Sequence, residues 1–95
     1  MRCVVVYDIP EDRLRVKVAD ICLDYGLERI QFSAFVGNLA PSHQQELMMK
    51  VRKRVGRREA NVQLFPLCER DWEKRITCIQ PKKEKETGSP SGSAT

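Results

Sequence analysis

Two groups of residues in this chain have the types and spacing to do chemistry. The first is Asp8, which ends an apolar run, RCVVVYD, directly after Tyr7. A hard cation such as Mg²⁺ binds oxygen donors and takes one or two carboxylates, filling its shell with water and substrate phosphate. One Asp is marginal for that, but two copies of Asp8 meeting across a two-fold axis are enough. A cation held between them would polarise a phosphate and activate water. The same residue type also suits a turn or helix start at Ile9-Pro10, and residue type alone leaves both readings open.

The second group is basic. Residues 46–58 hold Lys50, Arg52, Lys53, Arg54, Arg57 and Arg58 against Glu46 alone, so the net charge of +4 comes from this block. Lys50, Lys53, Arg54, Arg57 and Arg58 recur at i, i+3, i+4, i+7 and i+8, one stripe of a helix. Such a row is the footprint of a polyanion partner. Its bland counterpart is a solvated face that only aids solubility.

Other chemistries lack their residues. His43 is the only histidine, so no serine triad can be built. Cys3, Cys22, Cys68 and Cys78 form no C-x-x-C pair, which argues against zinc. Four reduced, mostly buried thiols are expected. There is no glycine-rich phosphate loop and no apolar run of about 20 residues that would span a membrane. The start of the chain is not a secretory signal, because the run Cys3–Tyr7 is short and ends in an acid. A cytoplasmic protein is expected.

These residues need elements to hold them. Residues 2–8 read as a strand, apolar on both faces: Cys3, Val5 and Tyr7 on one, Val4 and Val6 on the other. Residues 11–25 read as a helix with the stripe Leu14, Val18, Ile21, Cys22 and Tyr25, ended by Gly26. Residues 28–36 alternate as one strand, with Ile30, Phe32, Ala34 and Val36 on one face. Arg29, Gln31, Ser33 and Phe35 share the other, so Phe35 stands on a mostly polar face. Residues 42–55 read as a second helix, opened by the capping box Ser42–Gln45 and packed through Leu47, Met48, Val51 and Val55. Residues 60–67 and 75–80 read as further strands, with Pro66 marking an edge. CERDWEK between them reads as a turn or single helical turn.

The order predicts an α+β, ferredoxin-like split βαβ domain over residues 1–80, with two helices on one face of an antiparallel sheet. Residues 81–95 hold no large apolar side chain and read as a disordered tail. Two helices cover one sheet face, yet the first strand is apolar on both. A second copy of the chain is the simplest cover, so a homodimer is expected.

Two stretches, Y-D-I-P-E-D-x-x-R-x-K-V and D-Y-G-L-E-R-I-Q-F-S-A-F-V-G-N-L, resemble the small CRISPR-associated adaptation protein family, metal-dependent endonucleases of CRISPR loci. The resemblance spans residues 2–80. It implies that Asp8 is the metal-binding acid, one from each protomer, with Tyr7 beside it. It implies that Arg15, Lys17, Arg29 and Phe35 take part in activity. Lys17 stands where arginine is common and would meet phosphate as a point charge rather than a planar fork. Ala34 stands where valine is usual. The implied partner is the integrase encoded at the same locus, with the dimer bridging it and holding incoming spacer DNA.

Three functions follow as alternatives. One is a Mg²⁺-dependent endonuclease of RNA or duplex DNA, with Asp8 as ligand and Arg15, Lys17 and Arg29 steadying phosphate charge. Another is a non-catalytic dimeric scaffold for spacer integration, gripping duplex phosphates through Lys50–Arg58. The third is a ferredoxin-like small-molecule sensor, which the basic block and the Y-D motif disfavour.

Overall fold

The computed structural model describes residues 1–81. The chain runs β1 (Arg2–Asp8), α1 (Asp12–Asp24), β2 (Glu28–Gln31), β3 (Ala34–Asn38), α2 (Pro41–Val55), β4 (Asn61–Leu67) and α3 (Glu69–Glu73). The sheet is antiparallel, with strand order β2-β3-β1-β4. This is the βαββαβ ferredoxin-like arrangement, and the expected fold class holds.

Its strands are divided differently from the expectation. The single strand read over residues 28–36 is a hairpin that turns at Phe32 and Ser33. No glycine, proline, asparagine or aspartate marks that turn, and neither residue has positive φ, so it lacks the signature of the primed hairpin types. The register shifts between Arg29 and Gln31, leaving Ile30 as the extra residue of a bulge. The fourth strand comes from this split. Residues 75–80, expected to be a strand, pair with nothing among the described residues. The expected tail from residue 81 lies outside the described residues, apart from Pro81 itself.

Helix ends follow local chemistry. Gly26, at φ +81°, closes α1, with the Leu27 amide donating to the Cys22 carbonyl and the Gly26 amide to that of Leu23. The start of α2 is not the expected capping box. Ala40 is the N-cap, without a side-chain cap, and Pro41 takes the first helical position, where its missing N–H costs nothing. Arg52, Lys53 and Arg54 fill the last turn, where cations favour the helix dipole.

The core lies between the sheet and the two long helices. Cys3, Val5 and Tyr7 of β1 and Phe35 of β3 pack there against Leu14, Val18, Cys22, Leu47 and Val51. Gln44 is the buried polar group of α2, and its amide donates to the Leu39 carbonyl at 3.0 Å. The opposite face carries Val4 and Val6, flanked in register by Val36 and Phe65 and by Ala34 and Gln63. The long helices α1 and α2 pack on the other face, while α3 meets Arg2, which shares this one. Of the four cysteines, Cys3 and Cys22 are buried, but Cys68 and Cys78 are exposed, which corrects the expectation of mostly buried thiols. Burial pushes the Cys22 thiol up to about 12, so it stays protonated.

Helix α3 is tied back to β1. Arg2 makes a two-pronged ion pair with Glu69 at 3.0 and 3.1 Å, and its guanidinium lies 5.1 Å from the Trp72 ring centroid. The Arg75 guanidinium lies 3.9 Å from the same centroid. The hydrogen bond from Arg2 holds the Glu69 carboxyl below the usual range. A depressed carboxyl stabilises its ion pair above the unfolded pKa and loses that as pH falls through the folded one. Emission from Trp72, the only tryptophan, is therefore expected to change as pH drops below about 4.3, the ordinary Glu value. Glu69→Gln should abolish that transition; its persistence would assign the change elsewhere.

Candidate nucleic-acid and metal site

Strand β1 delivers Tyr7 and Asp8 to opposite faces, because successive side chains alternate. Tyr7 enters the helix-covered face and is buried; Asp8 is exposed on the open one. Directly across the ladder from Asp8 is Asn61 of β4, whose side-chain oxygen accepts a 3.0 Å hydrogen bond from Gln63. Facing residues of an antiparallel pair sit about 5 Å apart, so a second oxygen donor lies beside the carboxylate. Residue patterning carries no sign of Asn61, since only strand register makes it a neighbour. The donors suit a hard cation in kind but not in number. Among the described residues no three His, Cys, Asp or Glu side chains gather at one point. Asp8 and Asn61 alone are fewer donors than such a cation takes.

Tyr7, Arg15 and Arg29 do come together, around a cleft on the helix side that also takes in Asp12 and Phe32. Arg15 donates to the Ile9 carbonyl at 2.7 Å and pairs with Asp12. Arg29 donates to the Phe32 carbonyl at 2.7 Å, which braces the β2–β3 turn. Burial pushes the Tyr7 phenol up, while Arg29 and, more weakly, Arg15 pull it back down. Lys17 is not part of this group. It lies two residues beyond Arg15, about 200° around α1 by the helical repeat, beside Arg13 and Val16.

Phe35 needs a correction. It shares a face with Arg29, as expected, for the two are register partners. That face is the core rather than a polar surface, and Phe35 is fully buried. Its ring stacks on Tyr7 with centroids 6.2 Å apart, and the Arg29 guanidinium lies 4.9 Å from its centroid. It can support Tyr7 and Arg29 but cannot meet a substrate. Phe35→Leu is expected to cost about 1 kcal/mol, the scale of a core swap that keeps most of the volume. That lowers the melting temperature by roughly 4–8 °C, with nucleic-acid affinity unchanged. A normal melting temperature with weakened binding would return Phe35 to the site.

The basic stripe forms a groove. Lys50, Lys53, Arg54 and Arg58 line it with Ile21 of α1 at its floor. Arg57 is exposed but stands outside this lining. Arg58 pairs with Glu11 at 3.6 Å and donates to the Val55 and Arg54 carbonyls, so it also caps α2. Lys50 lies 4.0 Å from Glu46 and 5.1 Å from the Tyr25 ring centroid, and the Tyr25 hydroxyl donates to Glu46 at 2.6 Å. The groove and Asp8 lie on opposite sides of the sheet.

An antiparallel ferredoxin-like sheet with one face open, an exposed carboxylate on that face and a basic groove on its helix side defines the class of this protein. Comparison with known proteins narrows it. Residues 1–75 match the family model described as CRISPR associated protein Cas2. The chain is 55% identical over 75 residues to a CRISPR-associated endoribonuclease Cas2 of Chloroflexus aurantiacus, covering 79% of this chain and 88% of that one. It is 44% identical over 70 residues to a Cas1/Cas2 endonuclease fusion of Thermoproteus tenax, covering 74% of this chain and 26% of the fusion. Among solved structures, Streptococcus pyogenes Cas2 superimposes with a TM-score of 0.70 at 21% identity, over 84% of this chain and all of that one. The chain belongs to the Cas2 family. No helix of its described residues is long and apolar enough to cross a membrane.

Proposed function

We propose that this chain is a homodimeric, Mg²⁺-dependent endonuclease that acts in CRISPR adaptation beside the integrase of its locus. The observation that carries the reading is the exposed Asp8 at the end of β1, on the uncovered sheet face. On that face Phe65 is 46% exposed and Val4 and Val6 are half-buried, whereas Val36 and Ala34 are buried; Ile76 and Ile79 are 96% and 80% exposed beyond α3. A second copy would cover such surface. A two-fold axis near the end of β1 would set the two Asp8 carboxylates on one cation, with Asn61 beside each.

The divalent cation would supply phosphate polarisation and a more acidic water. The residues do the rest. Asp8 holds the cation, and Arg15 and Arg29 neutralise phosphate charge at the edge of the Tyr7 cleft. Tyr7, kept protonated by burial, can donate one hydrogen bond but cannot serve as a base near neutral pH. Lys17, away from that cleft, would meet only phosphates further along the strand. Lys50, Lys53, Arg54, Arg57 and Arg58 bind the backbone beyond the cut. RNA and duplex DNA both present that backbone. The test is cleavage of each by purified protein, with Mg²⁺ and with chelator. Metal-dependent cleavage by a particle of dimeric mass is expected; cleavage that survives chelation would overturn the reading.

A specific observation also favours a second reading, a non-catalytic DNA scaffold of the integration complex. The basic groove is complete within one chain, whereas the metal site is half a site. A relative that joins Cas1 to Cas2 in a single chain fits a tethering role. Duplex binding without cleavage, together with co-purification of the integrase, would select the scaffold.

A further inference from the structure

Phe32 stands at the tip of the β2–β3 hairpin with 71% of its surface exposed. Alternation places it on an apolar strand face; the turn ejects it instead. A lone exposed apolar residue is ordinary, but here the backbone that carries it is braced and a guanidinium lies near its ring. Arg29 clamps its carbonyl at 2.7 Å, and the Arg15 guanidinium lies 5.4 Å from its centroid. The ring borders the cleft of about 270 Å³ that holds Tyr7 and both arginines. Asp12 already pairs with Arg15, while Arg29 has no ion-pair partner among the described residues.

An aromatic face next to guanidinium groups recognises a base joined to a phosphate. We propose that this cleft holds one unpaired nucleotide, its base stacked on Phe32 and its phosphate on Arg29 and Arg15. The inference rests on the nucleic-acid reading above and adds to it a residue that selects unpaired strands. A base inside a duplex is stacked on its neighbours and cannot reach the ring. Tyr7 and Asp8 are consecutive but face opposite sides of the sheet, so the held nucleotide lies on the helix side of the strand end whose other side carries the carboxylate.

The test is binding in chelator, where cleavage does not interfere, to short single-stranded RNA and to a blunt duplex of equal length. Phe32→Ala is expected to weaken single-strand binding roughly 5- to 150-fold, the range for losing one stacking aromatic, and to leave duplex binding unchanged. Phe32→Trp should restore it, with tryptophan emission quenched on binding. Unchanged single-strand affinity in Phe32→Ala overturns the proposal. So does an equal loss for both ligands, or a loss accompanied by a change of particle mass, which would make Phe32 part of a subunit interface. Wild-type protein that binds no single strand overturns it as well. Failure of the nuclease reading looks different: strands are bound with the Phe32 dependence intact, yet Mg²⁺ brings no cleavage.

Discussion

Asp8→Asn is expected to reduce cleavage by more than about 100-fold while leaving nucleic-acid affinity nearly intact. Replacing a residue that merely hydrogen-bonds a metal ligand costs roughly 10- to 100-fold in activity or metal affinity, so loss of the ligand itself should cost more. In the proposed dimer the substitution removes both carboxylates at once, since each protomer contributes the same residue. The amide keeps the size and one oxygen but gives up the charge. Affinity should persist because the basic groove lies on the other side of the sheet. The check compares matched preparations with Mg²⁺, reading both cleavage rate and affinity. Equal cleavage by Asp8→Asn would reject Asp8 as a metal ligand and leave it as the residue that ends β1 before Pro10. Loss of affinity along with activity would place Asp8 in the binding surface instead.

The groove variant Lys50→Ala/Lys53→Ala/Arg54→Ala is expected to flatten the salt dependence of duplex binding. Every phosphate that no longer meets a basic side chain takes about 0.9 off the slope of log affinity against log salt. The triple variant should therefore lose roughly 2 to 3 from the slope per protomer. At an ionic strength of about 0.15 M this corresponds to roughly a hundred-fold weaker binding. Arg58 is left out deliberately, because its ion pair with Glu11 and its bonds to the end of α2 make it structural as well. Arg57→Ala, outside the groove lining, should change the slope by less than any groove position. An unchanged slope in the triple variant would show that the stripe is only a solvated face. Neither result depends on cleavage, so the variant also probes the scaffold reading.

Much of this molecule is legible in its residues because the signals are local. The run of valines and tyrosine in RCVVVYD marks β1, and Pro66 marks an edge strand, which β4 is among the described strands. Gly26 ends α1 because a left-handed cap needs it. Helical spacing alone puts Lys50, Lys53 and Arg54 on one stripe; Arg57 and Arg58 lie beyond the end of α2, and Arg58 joins the other three in lining the groove. Asp8 is exposed at a strand end, where its place in β1 predicts it to be.

Two of the misreadings share one cause. The turn at Phe32 and Ser33 has no turn residues, so periodicity runs straight through it and joins two strands into one. That single slip sends Phe32 to the wrong place and makes the face of Phe35 look polar, because Arg29, Gln31 and Ser33 surround it in sequence. Burial is set instead by what lies opposite: Val5 across β3 and the helices above. The segment 75–80 has β-rich composition, yet it pairs with neither edge strand of the described sheet, β2 or β4. Lys17 is two residues from Arg15 in sequence and more than a half-turn of helix away in space.

Residue type and periodicity are enough for the fold class, the helix-borne positive stripe and the acid at the end of β1, since each depends on neighbours within a few residues. They are not enough for which side of the sheet each group faces, for Asn61 across from Asp8, or for a Phe32 that projects while Phe35 is enclosed. Those are matters of strand register and hairpin closure, which join distant parts of the chain, and a shift of one residue in either would reverse them.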